Sequence, residues 1–247
     1  MKIEQVFWIA DYLRYLWNSN SRHGTHSPFI YALADEVLYS KDEPQCLDFI
    51  ELERSRYLNK SVSAFKAIPQ RKYLSFLYRY LNWDQIFFRN FAEIGSSQTS
   101  ISAIIQEVDP SVMGMIFESK KWDTPLALEE VESYLSHVNN YQRVAVTSPL
   151  SEQLLMESVK ELNPLDAIFL NECWDVLLDE NAIYALLDML SSNGVLVVHR
   201  LDEYWKQRHI WDKLVRHPRA TASIDLFKMG MIFVRKEQLK ETFLLRY

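Results

Sequence analysis

From about residue 88 onward, short runs of β-branched, aromatic and aliphatic residues alternate with longer stretches of helical periodicity, and this alternation constrains the fold more than any other feature of the chain. The runs are Phe91 to Ile94, Met113 to Phe117, Arg143 to Val146, Ala167 to Leu170 and Val195 to Val198. Between them the apolar spacing predicts helices over 99 to 107, 124 to 138, 151 to 162 and 179 to 190. Strands separated by helices of this length pair in parallel, so the pattern specifies βαβ units around one sheet. After a further helix over 203 to 215, two β-rich runs, Thr221 to Phe227 and Met231 to Val234, flank Lys228-Met229-Gly230, which reads as a hairpin loop. The expected fold class is α/β: a doubly wound sheet of about seven strands, mostly parallel, ending in an antiparallel hairpin.

The first eighty residues read differently. Val6, Ile9, Leu13, Leu16 and Trp17 recur at helical spacing, and helical patterns return around 28 to 40, 43 to 58 and 70 to 81. The expected division is a helical extension over 1–82 and the α/β domain over 83–247. Between the first two helices, Ser27 is placed to cap the next helix and Pro28 to occupy its first position, where a missing N–H is no loss. An apolar helical surface in this extension would suit self-association, so a homo-oligomer formed through the N-terminal helices is an expectation.

Composition narrows the function. A net charge of −6 argues against a non-specific nucleic-acid partner, which would need a basic face to displace phosphate counterions. The two cysteines, Cys46 and Cys173, match neither a disulfide framework nor a metal motif and read as core thiols of a reducing compartment. Residues 1 to 21 are interrupted by Glu4, Asp11 and Arg14 and do not read as a signal peptide. No run of about twenty apolar residues suggests a membrane span. A cytoplasmic location without a membrane partner is therefore expected. Glycine is scarce, five in 247 residues against an ordinary usage of roughly 7%, so Gly24, Gly95, Gly114, Gly194 and Gly230 are each expected at a turn or strand edge.

The order of elements, together with Arg22-His23-Gly24-Thr25-His26-Ser27-Pro28-Phe29 near the start and Ile224-Asp225-Leu226-Phe227-Lys228-Met229-Gly230 near the end, resembles bacterial class I S-adenosylmethionine-dependent methyltransferases of O-methyltransferase type that carry an N-terminal helical extension. The resemblance spans nearly the whole chain and implies a Rossmann-like fold whose ligands bind outside the carboxyl ends of the strands. Phe91-Ala92-Glu93-Ile94-Gly95-Ser96-Ser97-Gln98-Thr99 is similar to the acidic, glycine-bearing loop that cradles the methionine end of S-adenosyl-L-methionine, with Glu93 and Gly95 matching and Thr99 standing where the second glycine is usual. On residues alone, Ser96, Ser97 and Thr99 also read as caps of the following helix. Glu118, ending the second strand, stands where the family places an acid for the ribose hydroxyls. The resemblance carries Ser97, Thr147 and Asn171 over as further cofactor contacts.

Departures from the family pattern shape the chemistry. Asn171-Glu172-Cys173-Trp174 and His199-Arg200-Leu201-Asp202 replace the aspartates that hold a divalent cation in metal-dependent relatives. Arg200 would bring a permanent positive charge close to such an ion, so no metal is expected. His199 is the candidate general base, with a hydrogen-bonded structural histidine as the plain alternative. His23, His26 and His209 allow a zinc constellation on paper, but the turn chemistry around Gly24 and Pro28 already accounts for that segment. Of the seven tryptophans, Trp174 and Trp205 are expected to border the cleft. Two functions follow: methyl transfer from S-adenosyl-L-methionine to a small-molecule acceptor, or a non-catalytic descendant of the fold whose cleft is filled by side chains such as Gln98, Arg200 and Trp174.

Overall fold

Along the central strands, successive side chains enter two different hydrophobic cores. The computed structural model describes residues 3–21, 26–43, 47–48, 71–83, 88–95, 101, 104–105, 108–119, 141–146, 148–171, 174–199, 201 and 205–247. Its strands are β1 (Asn90–Ile94), β2 (Met113–Ser119), β3 (Tyr141–Val146), β4 (Leu165–Leu170), β5 (Leu190–His199), β6 (Ala222–Asp225), β7 (Met229–Phe233) and β8 (Glu241–Leu244). They form one sheet in the order β3-β2-β1-β4-β5-β7-β6-β8. Strands β3, β2, β1, β4 and β5 run parallel, and β7 is antiparallel to both β5 and β6.

Because side chains alternate across a strand, residues two apart share a face. Phe91, Ala167, Phe169, Val195, Val197, Met231 and Phe233 point to one core. Ala92, Ile94, Ile168, Leu170, Leu196, Val198 and Ile232 point to the other. Burial on both faces explains why these strands read as continuous apolar runs. The helices described over their whole length are α1 (Ile3–Asn18), α2 (Pro28–Ala32, continued by a π-helical stretch, Leu33–Leu38), α3 (Arg71–Leu81), α4 (Glu152–Ser158), α5 (Trp174–Leu177), α6 (Glu180–Met189) and α7 (Trp205–Arg216), and residues 47–48, 101, 104–105 and 108 are also helical. The first core is shared with α2, its π-helical continuation and α3 through Ile30, Leu33, Val37, Phe76 and Leu77. The second is covered by α4 to α7 through Leu155, Trp174, Leu186 and Trp211.

The helix starts follow their capping residues. The Ser27 hydroxyl accepts a hydrogen bond from the Ile30 N–H at 3.4 Å with Pro28 in the first turn, and Asp179 Oδ1 accepts from Ala182 N–H at 2.7 Å at the start of α6. The expected helices over 124 to 138 and most of 43 to 58 lie outside the described residues. On α1, Ile9, Leu13 and Trp17 are exposed, the last at 90%.

Two features differ from the sequence expectation. An additional edge strand, β8, pairs in parallel with β6, and Leu245 continues into a bridge with Asn20. The Tyr15 hydroxyl also donates to the Leu245 carbonyl, so the end of α1 is joined to the sheet edge. Glu241-Thr242-Phe243-Leu244 is too short to announce itself by periodicity, and pairing with β6 makes it a strand.

The hairpin loop is also displaced from Lys228-Met229-Gly230 to Leu226-Phe227-Lys228, because Met229 and Gly230 already belong to β7. Phe227 adopts φ 68°, which is unusual for a side-chain-bearing residue. Its N–H donates to Asp225 Oδ1 at 2.7 Å, and its ring packs against Tyr12 and Tyr15 at centroid distances of 5.0 and 5.1 Å. These contacts offset the backbone strain. Gly230 is therefore not a turn glycine. It sits inside β7 beneath the Trp211 ring, where a Cβ would come within 2.4 Å of Trp211 Cζ3.

Gly230→Ala is expected to destabilise the fold by about 1–3 kcal/mol through overpacking. Urea unfolding checks this: the midpoint should fall while the slope stays constant.

Candidate functional site

The parity that builds the first core continues past its edge. On β1, Glu93 follows Phe91 on the same face. Asn171 follows Phe169 at the end of β4, and His199 follows Val197 at the end of β5. Three polar side chains from three adjacent strand ends are thereby turned toward the same side as Tyr73 of α3. The strand order reverses between β1 and β4: the chain runs outward from β1 to β2 and β3, then returns to β4 on the other side. In open α/β sheets such a switch point opens a crevice at the carboxyl ends of the strands.

The backbone here is tightly held. Asn171 N–H donates to the Ile94 carbonyl at 2.9 Å, and Gly95 N–H donates to the Phe117 carbonyl at 3.0 Å. Gly95 adopts φ 90°, a conformation that L side chains rarely accept, so this position requires glycine as the chain leaves β1.

The side chains form a connected group. Asn171 Nδ2 donates to Glu93 Oε1 at 3.0 Å, and both residues are only 1% exposed. The Tyr73 hydroxyl donates to Asn171 Oδ1 at 3.5 Å, the long end of hydrogen-bond range. The Tyr73 ring lies flat on the His199 imidazole, with centroids 4.1 Å apart and planes 3° from parallel. Burial, and secondarily the nearby Glu93 charge, push the Tyr73 phenol well above its ordinary range, so it stays protonated and available as a donor. His199 is half-buried.

Of the residues singled out from the sequence, Glu93, Gly95, Asn171 and His199 are thus brought to neighbouring strand ends. Glu118 has its backbone on β2 opposite Ala145, but its side chain is not among those described. Ser97 and Thr147 lie outside the described residues, as do Ser96, Gln98, Thr99, Arg200 and Asp202. Trp174 corrects an expectation. It is 1% exposed and packs in the core on the opposite face of the sheet, so it fills that core rather than bordering the cleft. The side chain of Trp205 is not among those described. His23 is likewise outside them, His26 and His209 are exposed, and among the described residues no group of three or more His, Cys, Asp or Glu is arranged to hold a metal. Among the described residues no helix is long and apolar enough to cross a membrane.

Tyr73 is the site residue that sequence reasoning missed. On an amphipathic helix with Leu74, Phe76, Leu77 and Tyr80 also buried, it reads as one more core aromatic. Nothing local distinguishes the ring that meets a histidine about 126 residues away.

No family model matches the chain, and no curated protein matches it. Solved structures do. SAH-bound methyltransferase PaMTH1 of Podospora anserina superposes with a TM-score of 0.59 at 16% identity, covering 86% of this chain and 100% of that one. Cofactor-bound Rv0187 from MTB superposes with a TM-score of 0.51 at 15% identity, covering 85% and 98%. At these identities the likeness establishes the fold, which is the Rossmann-like class I methyltransferase fold.

Burial of neutral phenols has a consequence for alkaline stability. Tyr73 and Tyr80 are raised by burial, and Tyr15 is pushed up to about 12. A tyrosine whose folded value exceeds its unfolded value of about 10 contributes no penalty below that pH. Above it the unfolded chain releases the proton first, and stability falls by about 1.4 kcal/mol per pH unit for each such group. Denaturation between pH 10 and 12 should show this decline, and Tyr73→Phe should make it shallower.

Proposed function

We propose that the protein is an S-adenosylmethionine-dependent methyltransferase that works without a metal ion on a small-molecule acceptor. The observation that carries this reading is the exit of β1: Gly95 at φ 90° beside the Glu93–Asn171 pair, at the point where the strand order reverses. The chemistry of the group fits the cofactor. A carboxylate at Glu93 suits the ammonium of a methionine moiety, and a peptide without Cβ at Gly95 lets the backbone approach a ligand closely. The fold shared with an SAH-bound methyltransferase supports the same assignment. Ser97, Glu118 and Thr147 are proposed as further contacts, Glu118 for the ribose hydroxyls.

When bound, S-adenosyl-L-methionine supplies a methyl group that moves to the acceptor heteroatom as its bond to sulfur breaks, leaving the electron pair on sulfur. The chain's own contribution is positioning and proton acceptance. His199 takes the proton that the acceptor hydroxyl or amine must lose, a role imidazole fills at neutral pH. Asn171 orients Glu93 through its amide, and an amide there is a poor substitute for the aspartate of a cation site. Backbone hydrogen bonds from Gly95 and Asn171 hold the ends of β1 and β4 against their neighbours, which keeps the side chains carried there in fixed positions.

One observation favours a second reading, a non-catalytic binding protein on the same fold. Glu93 and Asn171 are 1% exposed and already bonded to each other. Calorimetry with S-adenosylmethionine and S-adenosylhomocysteine separates the two. Under the methyltransferase reading both bind, ligand at a hundred times its dissociation constant stabilises the fold by about 2.7 kcal/mol, and Gly95→Val abolishes the effect. Absence of binding at millimolar ligand would overturn that reading and leave the non-catalytic one.

A further inference from the structure

We infer that Tyr73 is a positioning residue for the His199 imidazole, holding the plane in which its proton-accepting nitrogen lies. The inference rests on the reading of His199 as the proton acceptor, but its geometric part stands apart from any cofactor. A histidine ring turns about a broad, roughly two-fold terminal torsion, so the backbone of β5 alone does not select one ring plane. The lone pair of a neutral imidazole lies in that plane, which means that the plane sets the directions from which a proton can arrive. Tyr73 selects one plane, with rings 4.1 Å apart at 3°.

The selecting ring is itself held. Tyr73 is 5% exposed on α3, its ring stacks at 6.4 Å and 21° on Phe76, and its hydroxyl reaches Asn171 Oδ1. Asn171 is in turn held by Glu93 at 3.0 Å. The plane of His199 is therefore referred to β1, β4 and α3 together. One face of the imidazole is closed by the tyrosine, and the proton is accepted in the plane of the ring that this stacking sets. Methyl transfer demands an in-line approach, and an edge fixed relative to the strand ends removes rotational freedom that would misalign the acceptor.

The test uses the full chain with Tyr73→Leu, Tyr73→Phe and His199→Ala. In the first arm, NMR of the His199 ring protons needs no cofactor. Their upfield displacement by the aromatic ring at position 73 should be present in the parent and in Tyr73→Phe, and in Tyr73→Leu the nuclear Overhauser contacts of the His199 ring protons should report more than one ring orientation. A single, unchanged His199 orientation in Tyr73→Leu would overturn the inference. If Tyr73→Leu does not fold, Tyr73→Met, which fills similar volume flexibly, takes its place in both arms.

In the second arm, methyl transfer by Tyr73→Leu should fall in kcat by up to about a hundredfold, with the KM for S-adenosylmethionine unchanged and most of the rate recovered in Tyr73→Phe, which keeps the ring and its packing on Phe76 and gives up only the long hydroxyl bond to Asn171. Adding Tyr73→Leu to His199→Ala should give little further loss, because Tyr73 acts through the imidazole that His199→Ala has already removed. Full kcat in Tyr73→Leu, or additive losses, would also overturn it. Absence of methyl transfer in the parent protein would instead refute the proposed function, and the NMR arm would then decide the positioning claim alone.

Discussion

Everything in this structure depends on the two-residue period of the central strands. Phe91, Phe169 and Val197 enter one core while Ala92, Ile168 and Leu196 enter the other, and a slip of one residue in any strand would exchange its two faces. With apolar side chains on both sides such a slip would still bury carbon. It would carry Glu93, Asn171 and His199 to the wrong side, away from Tyr73. The register that packs the core is thus the register that assembles the polar group at the strand ends. Site and core share one constraint.

That constraint also explains why buried polar residues are tolerated there. A carboxylate and an amide removed from water are costly unless each finds a partner. Glu93 and Asn171 meet that requirement with each other, and Tyr73 adds its hydroxyl from α3. The layer formed by α2 and α3 therefore does more than cover the sheet. It supplies the ring that lies on His199, so the helical segment preceding the first strand takes part in the geometry of the strand ends.

A second set of ties closes the far edge. Phe227 bears a left-handed backbone and is surrounded by Tyr12, Tyr15 and the Arg208 guanidinium, whose centre lies 5.3 Å from the ring. Arg208 also pairs with Asp225 and donates to the Phe227 carbonyl. The hairpin tip, α1 and α7 are joined at one aromatic residue. Nearby, the Asn20–Leu245 bridge draws the end of α1 against β8. Local strain at Phe227 is compatible with a stable fold because three separate elements determine its position.

The sheet and most helix boundaries were legible because hydrophobic periodicity and capping chemistry are local: Ser27-Pro28 starts α2, and Ala167 to Leu170 and Val195 to Val198 are strands. Glu93, Gly95, Asn171 and His199 were legible as strand-end residues for the same reason. Gly230 misled because glycine scarcity signals a conformational need without saying which one, and here the need is room for Trp211. Trp174 misled because its position after β4 does not reveal which face of the sheet its ring turns toward. By itself, then, the amino-acid sequence determined the α/β class, the parallel core and the candidates at the strand ends, all consequences of short-range pattern. Only the tertiary structure decided that Tyr73 meets His199, that Asn171 meets Glu93, and that Trp174 lies away from both, because those contacts join residues tens to more than a hundred positions apart, which no local periodicity encodes.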